Sequence, residues 1–149
     1  MFENVEVFVE LVSPDVVLPE YSNPSDAGMD VRSTADICVA PGQTVLVPTG
    51  IKVAIPEGYE IQVRPRSGMS LKTPMRISNS PGTIDAGYRD EICIIMTNTS
   101  LDESYQISNG DRIAQFVLQK VPHIAFKVVD SVAEIGENRG GGFGSTGKN

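Results

Sequence analysis

The residues best suited to chemistry lie in one short segment near the middle of the chain, Gly82–Glu91. It carries an acid, Asp85, and an aromatic ring, Tyr88, three residues apart between two apolar runs. A tight turn would hold the carboxylate at a surface, where it could accept a proton from a water molecule. The ring could pack against the molecule that the water attacks. The segment therefore indicates a hydrolytic site, although an ordinary hairpin would have a similar composition.

A second cluster, Arg64–Ser70, contains two arginines, two serines and a glycine directly after a strand-like run. We predict a short helix over Ser67–Lys72, which the following Thr-Pro pair would end. A helix N-terminus presents free N–H groups to anions, so Arg66, Ser67 and Gly68 are candidate phosphate ligands. Ser67 could equally be the N-cap of the helix, but capping alone does not explain two neighbouring arginines.

Two further polar clusters, and the residues that lead into the Asp85 segment and belong to its cluster, contain candidate ligands. Asp30 follows Asp26 by four residues, and this pair could orient waters around a metal ion or cap a turn. Asn79 offers a donor and an acceptor, which suit either a nucleobase edge or a turn. Gln115 is a polar position in the apolar run that follows Asp111–Arg112, a pair that could form a surface ion pair.

The last cluster is the glycine-rich tail, 136–149. Its composition is typical of a flexible segment. It also contains Arg139, Phe143, Ser145 and Thr146. An arginine, a ring and two hydroxyls could become ordered over a bound ligand, and the alternative is an end without any such role.

Composition limits the possible classes of protein. The chain has 149 residues, of which 40% are hydrophobic and 21% charged, as in a single globular domain. Its net charge of −7 argues against electrostatic binding to long nucleic acids. No apolar run approaches the roughly 20 residues of a membrane helix, and the acidic N-terminus differs from a signal peptide. We expect a cytoplasmic protein that binds neither nucleic acid nor membranes.

The cysteines and the single histidine exclude several kinds of site. Cys38 and Cys93 lie in apolar runs without the spacing of metal ligands, so we predict two buried thiols rather than a disulfide or a zinc site. His123 is far in sequence from any hydroxyl cluster. A Ser-His-Asp triad or a His-rich metal site is therefore not expected.

Short apolar runs separated by Pro/Gly turns predict an all-β sandwich or barrel with one short helix. We predict one β domain over 1–135, followed by the tail. The predicted strands are Val5–Val12, Ile37–Val39, Thr44–Val47, Ile51–Ile55, Tyr59–Val63, Glu91–Thr97 and Ile113–Val121.

Taken together and in order, the five clusters resemble the trimeric deoxyuridine triphosphatase family, from about Asp26 to Gly147. The resemblance implies a jelly-roll-like β fold and a homotrimer whose three active sites are each assembled from all three subunits. It also implies hydrolysis of dUTP to dUMP and pyrophosphate, with Mg²⁺ as the cofactor bound to the triphosphate.

The same resemblance implies roles for the candidate residues. Asp85 would deprotonate the water that attacks the α-phosphorus and would contact the sugar 3′-hydroxyl. Gln115 would lie near the phosphates and this water, and Asp30 would contact the metal through water. Asn79 would lie at uracil and Tyr88 under the deoxyribose. The remaining substrate-binding residues would be Arg66, Ser67 and Gly68 at the phosphates and Arg139, Phe143, Gly144, Ser145 and Thr146 in a closing tail.

Two positions depart from the family pattern. Asp90 stands where the family usually has glycine, and we expect little effect because aspartate tolerates turn conformations. Arg139 precedes Phe143 by four residues instead of the usual five. The role of Arg139 is therefore the assignment that depends most on local geometry.

Two alternatives remain open on the residues. The related dCTP deaminases share the fold, but they need an acid–base group at the pyrimidine edge; Tyr88 and the aromatic-glycine tail favour the diphosphatase. A non-catalytic nucleotide sensor could also use this scaffold, and Asp85 argues against it.

Overall fold

Antiparallel pairing of short strands organises the chain in its computed structural model, which describes residues 1–143 and Gly147. Over these residues the chain forms eleven strands and one helix. The helix is α1 (Ser67–Lys72), between the sixth and seventh strands. The strands are β1 (Phe8–Leu11), β2 (Met29–Arg32), β3 (Ile37–Val39), β4 (Thr44–Pro48), β5 (Ile51–Ala54), β6 (Tyr59–Arg64), β7 (Met75–Ile77), β8 (Gly82–Ile84), β9 (Cys93–Asn98), β10 (Tyr105–Ile107) and β11 (Arg112–Lys120).

Two larger sheets enclose a common core. One has the strand order β2-β11-β6-β8 and the other β4-β9-β7, while β1-β5 and β10-β3 form two-stranded sheets. Residues of both larger sheets belong to one buried apolar cluster, which includes Val31, Val63 and Phe116 from the first sheet and Val47 and Met96 from the second. The predicted all-β fold with one short helix is confirmed.

The long strand β11 connects this fold to the candidate site. It begins after the turn Ser108–Asp111, in which Gly110 has a φ of +92° that favours glycine. The Gly110 N–H donates to the carbonyl of Ser33 at 2.8 Å, which ties the start of β11 to the end of β2. A β-bulge between Arg112 and Ala114 follows directly. Polar side chains at the start of β11 therefore lie beside those of β2.

The predicted strands differ from the observed ones mainly at short elements. The helix and the strands beginning at Ile37, Thr44, Ile51 and Tyr59 start where they were predicted. The run Val5–Val12 was predicted too long, because only Phe8–Leu11 pairs with β5. Four strands of three or four residues were missed. They are β2, β7, β8 and β10, and each is defined by its pairing with a distant strand more than by local alternation.

The prediction of two buried thiols was wrong for Cys38. Both cysteines lie in the described part of the chain and are free, but Cys38 is exposed. It lies in β3 opposite Gln106 of β10, and both residues are on the exposed face of this two-stranded sheet. Cys93 is half-buried.

The C-terminal region continues beyond the last strand. β11 ends at Lys120, and residues 122–143 are exposed and form neither helix nor strand. The domain boundary predicted at residue 135 stays a prediction. Within residues 1–143 and 147, no helix is long and apolar enough to span a membrane.

Candidate active site

The segment between β8 and β9, Asp85–Ile92, carries Asp85 and is here called the acid turn. It passes from one larger sheet to the other. Strand β8 before it pairs with β6, and β9 after it pairs with β4 and β7, so the segment is not an ordinary hairpin. The Tyr88 N–H donates to the Asp85 carbonyl at 3.1 Å, and the Tyr88 hydroxyl donates to the Glu91 carbonyl at 3.0 Å. The Asp85 side chain is exposed. These bonds fix the turn while leaving the carboxylate accessible to solvent and ligand.

The neighbouring arginine braces the same turn. Arg89 Nη1 donates to the carbonyls of Ala86 at 2.6 Å and Tyr88 at 3.1 Å.

Asp90, which stands where the family usually has glycine, is exposed and its φ is not positive. A side chain at this position therefore strains neither the backbone nor the packing of the turn.

A cavity of about 190 Å³ lies beside the acid turn. Its lining combines the Asn79 amide and the Tyr88 ring with apolar residues such as Val63 and Ile84. A Cβ on Gly82 would lie 3.1 Å from Val63 Cβ and 3.5 Å from Asn79 Nδ2, so glycine keeps this wall open. An amide next to apolar walls can bind a flat polar ring such as a nucleobase.

Cys93 also lines this cavity, which the sequence did not indicate because the residue lies within an apolar run. Burial raises the pKa of the Cys93 thiol, and the nearby Glu91 carboxylate raises it further. A thiol with a raised pKa is protonated at neutral pH and is a poor nucleophile. The site is therefore suited to attack by water and not by this thiol.

A row of polar residues crosses the four-stranded sheet on one face. Gln115 of β11 lies opposite both Asp30 of β2 and Arg64 of β6 in the strand register. Gln115 Nε2 donates to the carbonyl of Pro65 at 2.9 Å. Gln115 thereby holds the turn that precedes α1.

Arg66 is fixed at the same place by two contacts. Its Nε donates to Asp30 Oδ1 at 2.9 Å, and its Nη1 donates to the carbonyl of Arg112 at 3.3 Å. Arg112 Nη1 lies 3.6 Å from Asp30 Oδ2. The suggested surface pair of Asp111 with Arg112 was wrong, since Asp111 Oδ2 accepts the Ser108 N–H instead. Sequence reasoning missed Arg112, because its contact with Asp30 arises only when β2 and β11 pair.

Helix α1 begins one residue earlier than an N-cap at Ser67 would require. Arg66 is the N-cap residue, with φ −90° and ψ 133°, and no side chain caps the helix. Ser67 is therefore the first helical residue, and the alternative role as N-cap was wrong. A Cβ added to Gly68 would meet nothing within 4 Å. The N–H groups of this turn are thus open to an external acceptor.

Asp26 and Asp30 have separate environments. Asp26 Oδ2 accepts the backbone N–H of Asn23 at 2.9 Å, so Asp26 caps a turn. Both oxygens of Asp30 contact arginines. Among residues 1–143 and 147, no group of three His, Cys, Asp or Glu could hold a metal ion. The single carboxylate of Asp30 fits a magnesium ion bound mainly through ligand phosphates and waters, since Mg²⁺ commonly keeps several waters.

The acid turn and the turn at the start of α1, Arg66–Gly68, here called the phosphate turn, are far apart within one chain. The register of β8 with β6 pairs Ile84 with Ile61, which places Asp85 level with Glu60. Arg66 follows six residues later along the same direction. Because a strand rises about 3.3 Å per residue, the two turns lie on the order of 15–20 Å apart. One chain therefore does not bring all the predicted residues together.

Two candidate residues of the described part of the tail, Arg139 and Phe143, belong to neither of these two turns. Arg139 and Phe143 are exposed. Gly144, Ser145 and Thr146 lie outside the described residues. Any closing role of the tail depends on a bound ligand.

Comparison with known proteins agrees with the motif order. The dUTPase family model matches residues 15–147. The deoxyuridine 5′-triphosphate nucleotidohydrolase of Streptomyces coelicolor is 48% identical over 145 residues, which cover 96% of this chain and 78% of that protein. The corresponding protein of Ehrlichia canis is 43% identical and covers 99% of both chains. The chain belongs to the dUTPase family. The recognition from five ordered clusters is confirmed, and with it the assignment as an enzyme.

Solved dUTPase structures share the fold. A mutant of the Staphylococcus bacteriophage 80alpha dUTPase with dUpNHpp has a TM-score of 0.85 at 30% identity, covering 95% of this chain and 98% of that one. A mutant dUTPase of the Staphylococcus aureus phage phi11, which coordinates a structural Mg(II) ion, has a TM-score of 0.79 at 28% identity, covering 85% and 97%. The fold is therefore that of a dUTPase.

The packing of Gly28 against Gln115 leads to a first prediction for this dUTPase. A Cβ at Gly28 would collide with Gln115 Oε1 and lie 3.3 Å from Val117 Cγ2. Gly28→Ala should displace the Gln115 amide from the Pro65 carbonyl and lower kcat/KM for dUTP roughly tenfold, as expected when the turn before α1 loses the side chain that holds it. The displaced group is a flexible side-chain end, so the melting temperature should fall by no more than about 2 °C.

Steady-state kinetics with a thermal melt checks this expectation. Gly87→Ala is the matched control for the thermal melt, because a Cβ there would meet nothing within 4 Å and its φ is not positive. Equal kcat/KM for the Gly28→Ala variant and the wild type would show that the position of Gln115 is unimportant.

Proposed function

We propose that this chain hydrolyses dUTP to dUMP and pyrophosphate by attack of an Asp85-activated water on the α-phosphorus. The supporting observation is the cavity lined by Asn79 and Tyr88 directly beside the Asp85 turn, in a chain of the dUTPase family. In this reaction the water oxygen bonds to the α-phosphorus, the bond to the bridging oxygen breaks, and Asp85 takes the proton of the water. Pyrophosphate leaves with the electron pair of that bridging bond.

The nucleoside part of the proposal rests on the chemistry of the cavity. Asn79 would pair with the uracil edge through its donor and acceptor. The ring of Tyr88, 39% exposed and held by its bond to Glu91, would pack against deoxyribose and leave no space for a 2′-hydroxyl. Asp85 would also accept a hydrogen bond from the sugar 3′-hydroxyl. The segment that carries the general base Asp85, together with Asn79 before it, would thus recognise uracil and deoxyribose.

The phosphate part rests on the turn before α1. Arg66 would bind the phosphate chain through its free guanidinium N–H groups. The open backbone N–H groups at Ser67 and Gly68 would bind it as well. Gln115 would hold this turn and orient the water, and Asp30 would lie near the metal's water shell. Bound Mg²⁺ would neutralise charge that develops on the phosphates. Arg139, Phe143, Gly144, Ser145 and Thr146 would close over the nucleotide and exclude water.

The separation of the two turns supports a homotrimer with shared active sites. A phosphate chain cannot reach both Asp85 and Arg66 of one chain, which lie on the order of 15–20 Å apart. A neighbouring subunit would supply the second turn. The C-terminal segment also exposes Ile124, Phe126 and Val128, an apolar surface that assembly could cover. The predicted cytoplasmic location stays a prediction.

The test is pyrophosphate release from dUTP, dCTP, dTTP and UTP, each with magnesium and with a chelator. We expect magnesium-dependent release from dUTP, with kcat/KM at least about 10²-fold above that for the other three nucleotides. A site that hydrogen-bonds the polar groups of one nucleotide rejects analogues that leave those bonds unmade. Ammonia release from dCTP would assign the chain to the deaminase branch. No turnover of any of the four would contradict the proposed hydrolysis.

A further inference from the structure

Arg112 makes contacts that the proposed reaction does not yet use. It is the first residue of β11 and contacts Asp30 of β2 and Arg66 of the turn before α1. Its guanidinium Nη1 is 3.6 Å from Asp30 Oδ2, and its carbonyl accepts Arg66 Nη1 at 3.3 Å. The β-bulge directly after Arg112 shifts the strand register at this point. Arg112 therefore contacts Asp30 by its side chain and Arg66 by its backbone.

The contacts of Arg66 determine which of its N–H groups are available. A guanidinium has five N–H donors in a fixed plane. Nε donates to Asp30 and one Nη1 hydrogen donates to the Arg112 carbonyl. The second Nη1 hydrogen and the Nη2 group remain, and these form the edge that can bind a phosphate in a bidentate manner. The orientation of this edge depends on where Asp30 is held.

Asp30 is shared unequally between two arginines. Its Oδ1 is 2.9 Å from Arg66 Nε, whereas its Oδ2 is 3.6 Å from Arg112 Nη1. The Asp30 and Arg66 side chains are 27% and 25% exposed, while that of Arg112 is 50% exposed. Without the Arg112 side chain, Asp30 would be free to rotate and would neutralise Arg66 alone.

We propose that Arg112 is a positioning residue for triphosphate binding that acts through Asp30. The Arg112 side chain fixes one carboxylate oxygen of Asp30, the other oxygen fixes Arg66, and Arg66 thereby presents its free edge to the phosphates. This inference rests on the proposed phosphate role of Arg66. It assigns to Arg112 an effect on the affinity for the phosphate chain and not on the chemical step.

The experiment is a double-mutant cycle with Arg112→Ala, Asp30→Asn and both together. Each variant is measured for kcat and KM with dUTP, for the Kd of the α,β-imido analogue of dUTP, and for the Kd of dUMP. Arg32→Ala is the matched control. Arg32 lies opposite Arg112 in the strand register, but its Nη1 donates to the Gly110 carbonyl at 2.8 Å and not to Asp30.

We expect Arg112→Ala to raise KM and the Kd of the imido analogue about tenfold, the scale of a lost charged contact at a half-exposed site, with kcat within about twofold. The Kd of dUMP should change far less, because dUMP lacks the β- and γ-phosphates. In the Asp30→Asn background the same substitution should add no further effect, since coupled residues are not additive. Arg112→Lys should recover most of the affinity, and Arg32→Ala should behave as the wild type.

Additive effects of the two substitutions would overturn the proposal, as would a loss of kcat without a change in the Kd of the imido analogue. An equal effect of Arg32→Ala would assign the result to general surface charge and would also overturn it. Failure of the proposed hydrolysis is seen separately, as absence of pyrophosphate release by the wild type. The imido-analogue cycle tests Arg112 even in that case.

Discussion

Replacing Asp85 with asparagine is expected to lower the turnover of dUTP roughly 10²–10⁴-fold, the range typical for loss of a general base. The substitution keeps the size of the side chain and removes its ability to take a proton from water. It leaves the backbone bonds of the turn intact, because the Tyr88 N–H donates to the Asp85 carbonyl and not to its carboxylate. Binding of the α,β-imido analogue of dUTP and the oligomeric state should therefore be preserved.

Asp90→Asn is the matched control for this variant. Asp90 lies in the same turn, is exposed like Asp85, and loses the same charge in the substitution. It should retain kcat within about twofold, as is usual for exposed positions without a specific contact. Single-turnover measurement of pyrophosphate release separates chemistry from product release. If the Asp85→Asn variant turned over dUTP as fast as the wild type, Asp85 would not be the base.

The parts of the fold that were predicted from sequence are those with a strong local pattern. At β9 the residues from Ile92 to Met96 form a short continuous apolar run, so the strand was visible in the sequence as such a run. Strand β7 has only three residues, and it is a strand because it pairs with β9. Pairing between distant segments is not encoded in three residues, so such strands were missed.

In the candidate site too, local sequence features were predicted and contacts between distant segments were not. Residue types identified Asp85, Asn79 and Tyr88 as candidates, because a carboxylate, an amide and a ring have distinct chemistry. Sequence did not reveal that Arg112 contacts Asp30, since these residues are 82 positions apart and meet only through the β2–β11 pairing. Cys93 was missed for the same reason: its place on the cavity wall depends on the turn that joins the two sheets.

Removing Gly140–Asn149 is expected to abolish most dUTPase activity while changing the melting temperature by no more than about 2 °C. Residues 140–143 are exposed, and the backbone bond of Gly140 goes to Asn138 Oδ1 within the same segment. Little buried area is therefore lost from the fold. The deletion removes Phe143, Ser145 and Thr146, which are proposed to cover uracil and the γ-phosphate and so to exclude water from the reacting atoms.

A shorter truncation serves as the control for this deletion. Removing only Lys148 and Asn149 keeps residues 15–147, the whole segment that matches the dUTPase family, and should leave kcat/KM within about twofold. Insertion of one glycine after Gly140 restores the usual spacing from Arg139 to Phe143. Unchanged kinetics in that variant would mean that a glycine-rich tail adapts to either spacing. A fall in melting temperature of more than about 5 °C on full deletion would instead make the tail part of the folded structure.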